Sequence, residues 1–561
     1  MPRQGDGELV AGTELAVSFC GQRGGCGELT WSQRSMWNLH EHLWPDHSYY
    51  NMQQLLRLPD GLILPDVARL LRLLLEHHES LRTTVYRLDD GWPQQRVARR
   101  GEFALRVHEA GDTPGSHLAE RLSAEYLGHP FRDDEWPLRV AVVTERGSPR
   151  FLVLVVSHLA VDWWGLRILT AGFSRLLADG EDAVPPRYQP LDHAASEASE
   201  ASRRGARRAV DYWRRTLMDV PQTMFPVRTS PDDRVPWCPR AVLASRALPM
   251  AAAVLSERYG VSPSVVILAA AATLLGIRTG NERAVLRLFA PNRYSAQARE
   301  MVGTLFQSAL FAVDLDAQTF GQMITRSAAS VMAAYRYSRY PPEDIDRVIA
   351  EVEAARGIHL ELECYARTVW ETAPGSPAAG PASAEQIAAA LSSSRLEITA
   401  SWGRRHDFQF DVDLAADGSM HAVITADPRF LSRDDLPRLL RGVETLVVRS
   451  VTDEVDLSQI GELTGIVPKP RGVSTRLVDR CWVEPGAVAH LLRTVPGVTT
   501  ARVSIGQEAG GRAEIVAEVT TDRDDLTEQA LRSACLAAVP GMRTAVVPHR
   551  YEIHRAVGQP T

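Results

Sequence analysis

Ser157, His158 and Asp162 fall within nine residues, SHLAVDWWG, directly after the apolar run RFLVLVV. A run of that kind suits a strand buried on both faces, and the polar break after it brings His158 and then Asp162 to the strand's end. Imidazole is the side chain whose unperturbed pKa, about 6.5, lets it exchange protons near neutrality. It can hydrogen-bond an incoming amine or take its proton during acyl transfer. Asp162 can hold the loop through an arginine or orient the imidazole. Taken alone the string is unspecific, because a lone histidine at a strand end is more often structural than reactive. Trp163 and Trp164 likewise read either as core aromatics or as rings facing a substrate.

The elements around this string are those of a globular protein. The chain has 561 residues, 45% hydrophobic and 23% charged, with a net charge of -7. That length exceeds one compact core and suggests roughly three or four units. No basic stripe interleaved with aromatics points to nucleic acid. Cys20, Cys26, Cys238, Cys364, Cys481 and Cys535 are scattered without a CxxC pair or a zinc-like cluster, so no metal is expected and the thiols read as free. The N-terminus lacks the pattern of a signal peptide, and the longest apolar run, SVVILAAAATLLGI, is shorter than the roughly 20 residues that cross a bilayer. A cytoplasmic protein without a membrane segment is the expectation.

Residues 1–27 read as a loose extension. TWSQRSMWNLHEHLW reads as a helix opened by a Thr or Ser cap, and PDVARLLRLLLEHHESLRTTV as an amphipathic helix. After the charged stretch HAASEASEASRRGARR a second block begins. LSERYGVSPSVVILAAAATLLGIRTG is helix, break, helix; ERAVLRLFAPNR is strand into loop; MVGTLFQSALFAVDL is an apolar strand. LEITASWGRRHDFQFDVDLAADGSMHAVITAD reads as consecutive antiparallel strands, and PRFLSRDDLPRLLRGVETLVV as a helix. The tail follows as helix, strand, strand, helix, strand. The boundaries are 28–190, 206–455 and 476–561.

In order along the chain, LTWSQRSMW, HHESLRTTV, HPFRDDEWPLRVAVV, SHLAVDWWG, the long alanine-rich helix, APNR and MVGTLFQSALFAVDL resemble the motifs of the condensation-domain family of nonribosomal peptide synthesis. Their collinearity over roughly residues 28 to 450 is far more specific than any one of them. The resemblance implies an α+β fold of two chloramphenicol-acetyltransferase-like halves in a V with a central tunnel. It implies that His158 is catalytic, and that Asp162 and its salt-bridge partner Arg293, in APNR, fix the loop presenting it. Two positions depart from HHxxxDG: Ser157 replaces the first histidine and Trp163 the glycine. A serine can hydrogen-bond locally, whereas an indole can narrow the tunnel or pack on a substrate. Gln307 and Ser308 stand near a family asparagine and are candidate substrate contacts.

The function implied is a free-standing condensation enzyme joining a carrier-bound acyl or aminoacyl thioester to an amine. No bound cofactor is implied beyond the phosphopantetheine arm of acyl or peptidyl carrier proteins acting in trans. Ester-forming, cyclising and CoA-dependent transfer are alternatives, as is a non-catalytic recruitment module. The heterocyclising DxxxxD string and the DFGWG segment of CoA-dependent relatives are absent. The tail, with RLVDRCWVEPGAVAHLL, resembles the small C-terminal subdomain of adenylate-forming enzymes. Val557, Gly558 and Gln559 stand where that family has its lysine motif, so the tail reads as a relic or docking module.

Overall fold

A computed structural model describes residues 12–44, 47–179, 186–229, 237–368, 382–402, 406–415, 417–507 and 513–555. Val557, Gly558, Gln559 and most of the low-complexity segment near 372–385 lie outside the described residues. The chain forms two compact units. One comprises residues 1–207 together with 290–307 and 339–342; the other comprises 208–289, 308–338 and 343–561.

The first unit is built on β1 (Thr13–Cys20), β2 (Gly25–Glu28), β3 (Met52–Arg57), β4 (Thr83–Arg87), β5 (Pro93–Val97), β6 (Arg100–Glu109), β7 (Leu138–Glu145) and β8 (Ser148–Val156). Its main sheet has the order β1-β6-β7-β8-β3, and β2-β5-β4 form a smaller one. The sequence reading of 1–27 as loose is corrected by β1, which pairs along its whole length with β6. Its alternation places Val17 and Phe19 in the core, enough to hold an edge strand. Among the helices of this unit are α1 (Trp31–Leu43), α2 (Leu64–His77), α3 (Gly115–Gly128) and α4 (Trp163–Asp179).

The expected cap of α1 is a capping box. The Gln33 amide donates to Thr30 Oγ1 at 3.1 Å, and the Thr30 amide donates to Gln33 Oε1 at 2.9 Å. The leucines of α2, among them Leu70, Leu71 and Leu74, pack with Leu152 and Leu154 of β8. α2 stops at His77, earlier than its apolar pattern suggests; a 3-10 turn over Glu79–Arg82 and then β4 follow. Arg82 ends the helix by donating from Nε to the Leu75 carbonyl at 2.9 Å. His78, buried behind it, is held at about 3 by desolvation, with the charges of His77, Arg175 and Arg82 adding. His40 of α1 is similarly held at about 3.

A histidine whose folded pKa is depressed leaves the unfolded chain binding more protons. Stability is therefore expected to be whole above about pH 6.5. It should fall on acidification toward pH 3, by an amount on the order of several kcal/mol. Urea denaturation across that range checks this, with His78→Phe flattening the slope.

The second unit carries a seven-stranded sheet. Its strands are β9 (Trp237–Ser245), β10 (Arg283–Ala290), β11 (Gln307–Asp314), β12 (Cys364–Thr368), β13 (Arg395–Trp402), β14 (Phe408–Leu414) and β15 (Met420–Ala426). The order is β11-β10-β12-β14-β15-β9-β13. β14 and β15 form the expected antiparallel pair, but β13 pairs with β9. The helix-break-helix appears as Ala247–Tyr259 and Pro263–Thr279, separated by Gly260 in the left-handed region (φ 63°) and with Pro263 opening the second helix. No single described helix is long and apolar enough to cross a membrane; this pair meets such a test only jointly, bent by 103°. Most of its second member is buried in the protein.

The tail forms a hairpin of β16 (Arg476–Val478) and β17 (Cys481–Val483), helices at Pro485–Arg493 and Glu528–Ala538, and a sheet of β18 (Val498–Gln507), β19 (Ala513–Thr521) and β20 (Arg550–Arg555). It is anchored within the second unit by Arg543. That guanidinium meets Glu361, lies 2.8 Å from Asp407 and stacks over Phe430 at 3.8 Å.

Candidate functional site

β8 is flanked on both edges, by β7 and β3, so its apolar residues are enclosed and its C-terminal end is fixed. At that end the chain turns sharply. The Ser157 carbonyl accepts from the amides of Ala160 at 2.9 Å and Val161 at 3.2 Å. Ser157 is buried, and its Oγ accepts from the Leu159 amide at 3.3 Å, the local bond expected of a hydroxyl at this position.

Asp162 starts α4. Its Oδ1 accepts from the Gly165 amide at 2.6 Å and from Arg293 Nη2 at 2.9 Å. Its Oδ2 accepts from the amides of Leu305 at 2.9 Å and Phe306 at 3.2 Å. Arg293 is equally committed. Besides Asp162 it donates to the carbonyls of Ala298 and Met301, each at 2.7 Å, and of Gly303 at 2.9 Å. The two side chains are only 4% and 2% exposed, so each charge is neutralised in place by the other and by main-chain dipoles. Residues 290–307, though far along the chain, thereby belong to the first unit.

The clasp explains a departure from the sequence reading. MVGTLF does not join the strand, which begins only at Gln307, because the amides of Leu305 and Phe306 serve Asp162 instead of a ladder. A glycine is needed where α4 meets this loop. A Cβ on Gly165 would lie 2.7 Å from the Gly303 oxygen and 3.1 Å from its nitrogen. Gly165→Ala is expected to push the first turn of α4 off the loop and cost about 1–3 kcal/mol, readable as a lower denaturation midpoint.

With its four acceptor positions used, Asp162 has no geometry left for the imidazole. His158 is held by its main chain, whose carbonyl accepts from Thr304 Oγ1. Its ring lies 5.0 Å from that of Phe306 and 6.5 Å from that of Tyr50, centroid to centroid. The residue keeps some accessible surface although its surroundings are dense. Its Nδ1 is enclosed and makes no hydrogen bond of adequate geometry among the described residues. Burial lowers its pKa, and the nearby main chain of His158 and Val161 and the charge of Asp162 only partly oppose this. His158 is thus a neutral imidazole at neutral pH.

The remaining candidates separate from this centre. Trp163 lies half-buried in the first turn of α4, under the Arg167 guanidinium at 4.8 Å, with Trp164 at 6.3 Å. Gln307 is buried, and both ends of its amide serve the main chain of Tyr340: Nε2 donates to the carbonyl at 2.7 Å and Oε1 accepts from the amide at 3.4 Å. This corrects its reading as a substrate contact, since a side chain so engaged holds backbone. Ser308 is half-buried on β11 in the second unit. Tyr50, Phe306 and Thr304 escaped the sequence reading. Phe306 and Thr304 sit inside a segment read as strand, and only the loop geometry turns them to His158. Clefts of about 550 Å³ and 290 Å³ lie beside the tail, lined by residues such as Arg356, Arg480 and His549 in one and Arg471 and Trp482 in the other. Volume alone would misplace the site.

Comparison with known proteins matches residues 26–417 to the condensation domain. The chain is 27% identical over 351 residues to the probable non-canonical nonribosomal peptide synthetase CymA of Salinispora arenicola, covering 58% of this chain and 4% of that protein. It is 25% identical over 417 residues to the phosphinothricin tripeptide synthetase PhsB of Streptomyces viridochromogenes, covering 69% of this chain and 34% of that protein. It therefore spans about a third or less of these curated relatives. Its fold is similar to the first condensation domain of the calcium-dependent antibiotic synthetase, with a TM-score of 0.58, 18% identity, and coverage of 78% of this chain and 98% of that one. A match over most of the chain, together with an α+β fold shared with a solved condensation domain, places this chain in the condensation-domain family of nonribosomal peptide synthesis.

Proposed function

We propose that this chain transfers an acyl or aminoacyl group from a carrier-protein thioester to an amine, forming an amide, with His158 as the catalytic residue. The observation that carries the reading is an imidazole that is neutral, partly accessible and free of any carboxylate hydrogen bond, on a turn pinned by Asp162, Arg293 and Thr304. Such a ring accepts a hydrogen bond from the amine nitrogen and aligns it with the thioester carbonyl. As the carbon–nitrogen bond forms, the ring can take the nitrogen's proton. The carbon–sulfur bond then breaks, and the departing sulfur leaves as the thiol of the carrier's phosphopantetheine arm. Proton help of this kind supplies about 10²–10⁴-fold, and holding both reactants in line supplies much of the remainder.

The carriers act in trans, and the phosphopantetheine arm is a substrate component. The tail, which lies beyond the matched region, we read as a relic or docking module, consistent with its anchoring through Arg543. Intact-protein mass spectrometry with loaded carriers, free amines and, separately, acyl-CoA tests this. Loss of the acyl mass from the carrier with appearance of the amide supports the reading. Turnover of acyl-CoA alone points to the CoA-dependent alternative, and carrier binding without transfer to a recruitment module.

A further inference from the structure

We propose that Tyr188 and His193 are positioning residues for the transfer: one hydrogen bond between them braces the loop on which the His158 turn is pinned. The inference rests on the amine-acylation reading with His158 as the catalytic residue.

The brace is built on the short helix α5 (Pro190–Glu197). Pro190 opens it. Gln189, just before, ties its start to the end of α2, donating from Nε2 to the His77 carbonyl at 2.8 Å and accepting at Oε1 from the Glu79 amide at 3.1 Å. Asp192 holds the same turn by accepting from the Gln189 amide at 2.9 Å. His193 and Glu197 stand four residues apart and share a helix face. Both are buried, and His193 Nε2 lies 3.3 Å from Glu197 Oε1. A carboxylate only accepts, so it keeps the ring proton on Nε2 and leaves the Nδ1 lone pair for the Tyr188 hydroxyl, 3.0 Å away. Glu197 is itself fixed by Trp31, whose amide donates to Oε2 at 2.7 Å.

Anchorage of α5 does not need the bond between Tyr188 and His193, since Gln189 and Glu197 already tie its two ends to α2 and α1. What the bond adds is the direction of the Tyr188 ring, which packs on Ala298, Met301 and Leu305. These are three residues whose main chain joins the clasp. The carbonyls of Ala298 and Met301 accept from Arg293, and the Leu305 amide donates to Asp162. Between them Thr304 donates to the His158 carbonyl. A ring held at one angle against these side chains holds the loop, and through it the turn that presents the imidazole.

Tyr188→Phe keeps the ring and deletes the hydroxyl, whereas His193→Gln keeps an N–H beside Glu197 and deletes the acceptor. With a loaded carrier as donor and n-propylamine as acceptor, each is expected to lower kcat of the folded protein about tenfold, while KM for the amine stays at its wild-type value. The double variant should fall no further than either single one, because both remove the same bond. A wild-type kcat in Tyr188→Phe, or losses that multiply in the double variant, overturns the brace. So does a loss confined to the denaturation midpoint, the mark of a purely structural contact. Hydrogen exchange gives a reading independent of turnover. The Leu305 and Phe306 amides, which donate to Asp162, should exchange about tenfold faster in Tyr188→Phe, and unchanged protection overturns the brace. Absence of amide formation by the wild type would refute the amide-forming reading, and hydrogen exchange would then decide the brace by itself.

Discussion

Arg293→Ala is expected to destabilise the first unit by about 3–5 kcal/mol, because it strands the Asp162 carboxylate in a buried site without its cation. The loss reaches further than one ion pair. Arg293 also gathers the carbonyls of Ala298, Met301 and Gly303, so its removal frees the whole loop that supplies Leu305 and Phe306 to Asp162 and Thr304 to His158. Arg293→Lys should recover little, since one ammonium cannot reproduce a planar fork serving four oxygens. Chemical denaturation gives the stability difference. The amide-forming rate of the folded fraction, measured alongside, should also fall as the His158 turn loosens.

His158→Ala should behave in the opposite way. Its Nδ1 makes no hydrogen bond of adequate geometry among the described residues, and the turn is held by the His158 carbonyl and by Asp162, so stability should change little. Transfer from a carrier thioester to an amine should drop by about 10²–10⁴-fold, with carrier binding retained. In the wild type the rate should hold on acidification to below pH 6.5, because burial has lowered the ring's pKa and the neutral form persists. Together the two variants separate the group proposed to act from the groups that hold it.

The pattern of apolar residues announced most of these elements. The buried strand before Ser157, the Thr30 cap, the Gly260 break and the helix Pro263–Thr279 follow from local spacing and capping chemistry, and all are present. The pairing of Asp162 with Arg293 was legible only through the order of family motifs, since 131 residues separate the partners. Gln307 misled because an amide in an apolar strand reads equally well as a substrate contact or as a buried clamp on Tyr340, and only the partner's position decides. β1 was missed although Leu15, Val17 and Phe19 alternate along it, because the glycines before and after it make the segment read as loose. His40 and His47 lie in a stretch whose helical pattern is plain, but helical spacing cannot show that the helix end and the following turn bring their rings together.

The most direct measurement is single-turnover transfer from a loaded carrier to a primary amine, followed by intact-protein mass spectrometry from pH 5 to 8, for the wild type and for His158→Ala. A wild-type rate that declines only below pH 6.5, and a variant that is slower by two orders of magnitude or more without that acid limb, is the predicted result. A variant that keeps the wild-type rate and pH profile while the wild type forms amide would contradict the assignment of His158.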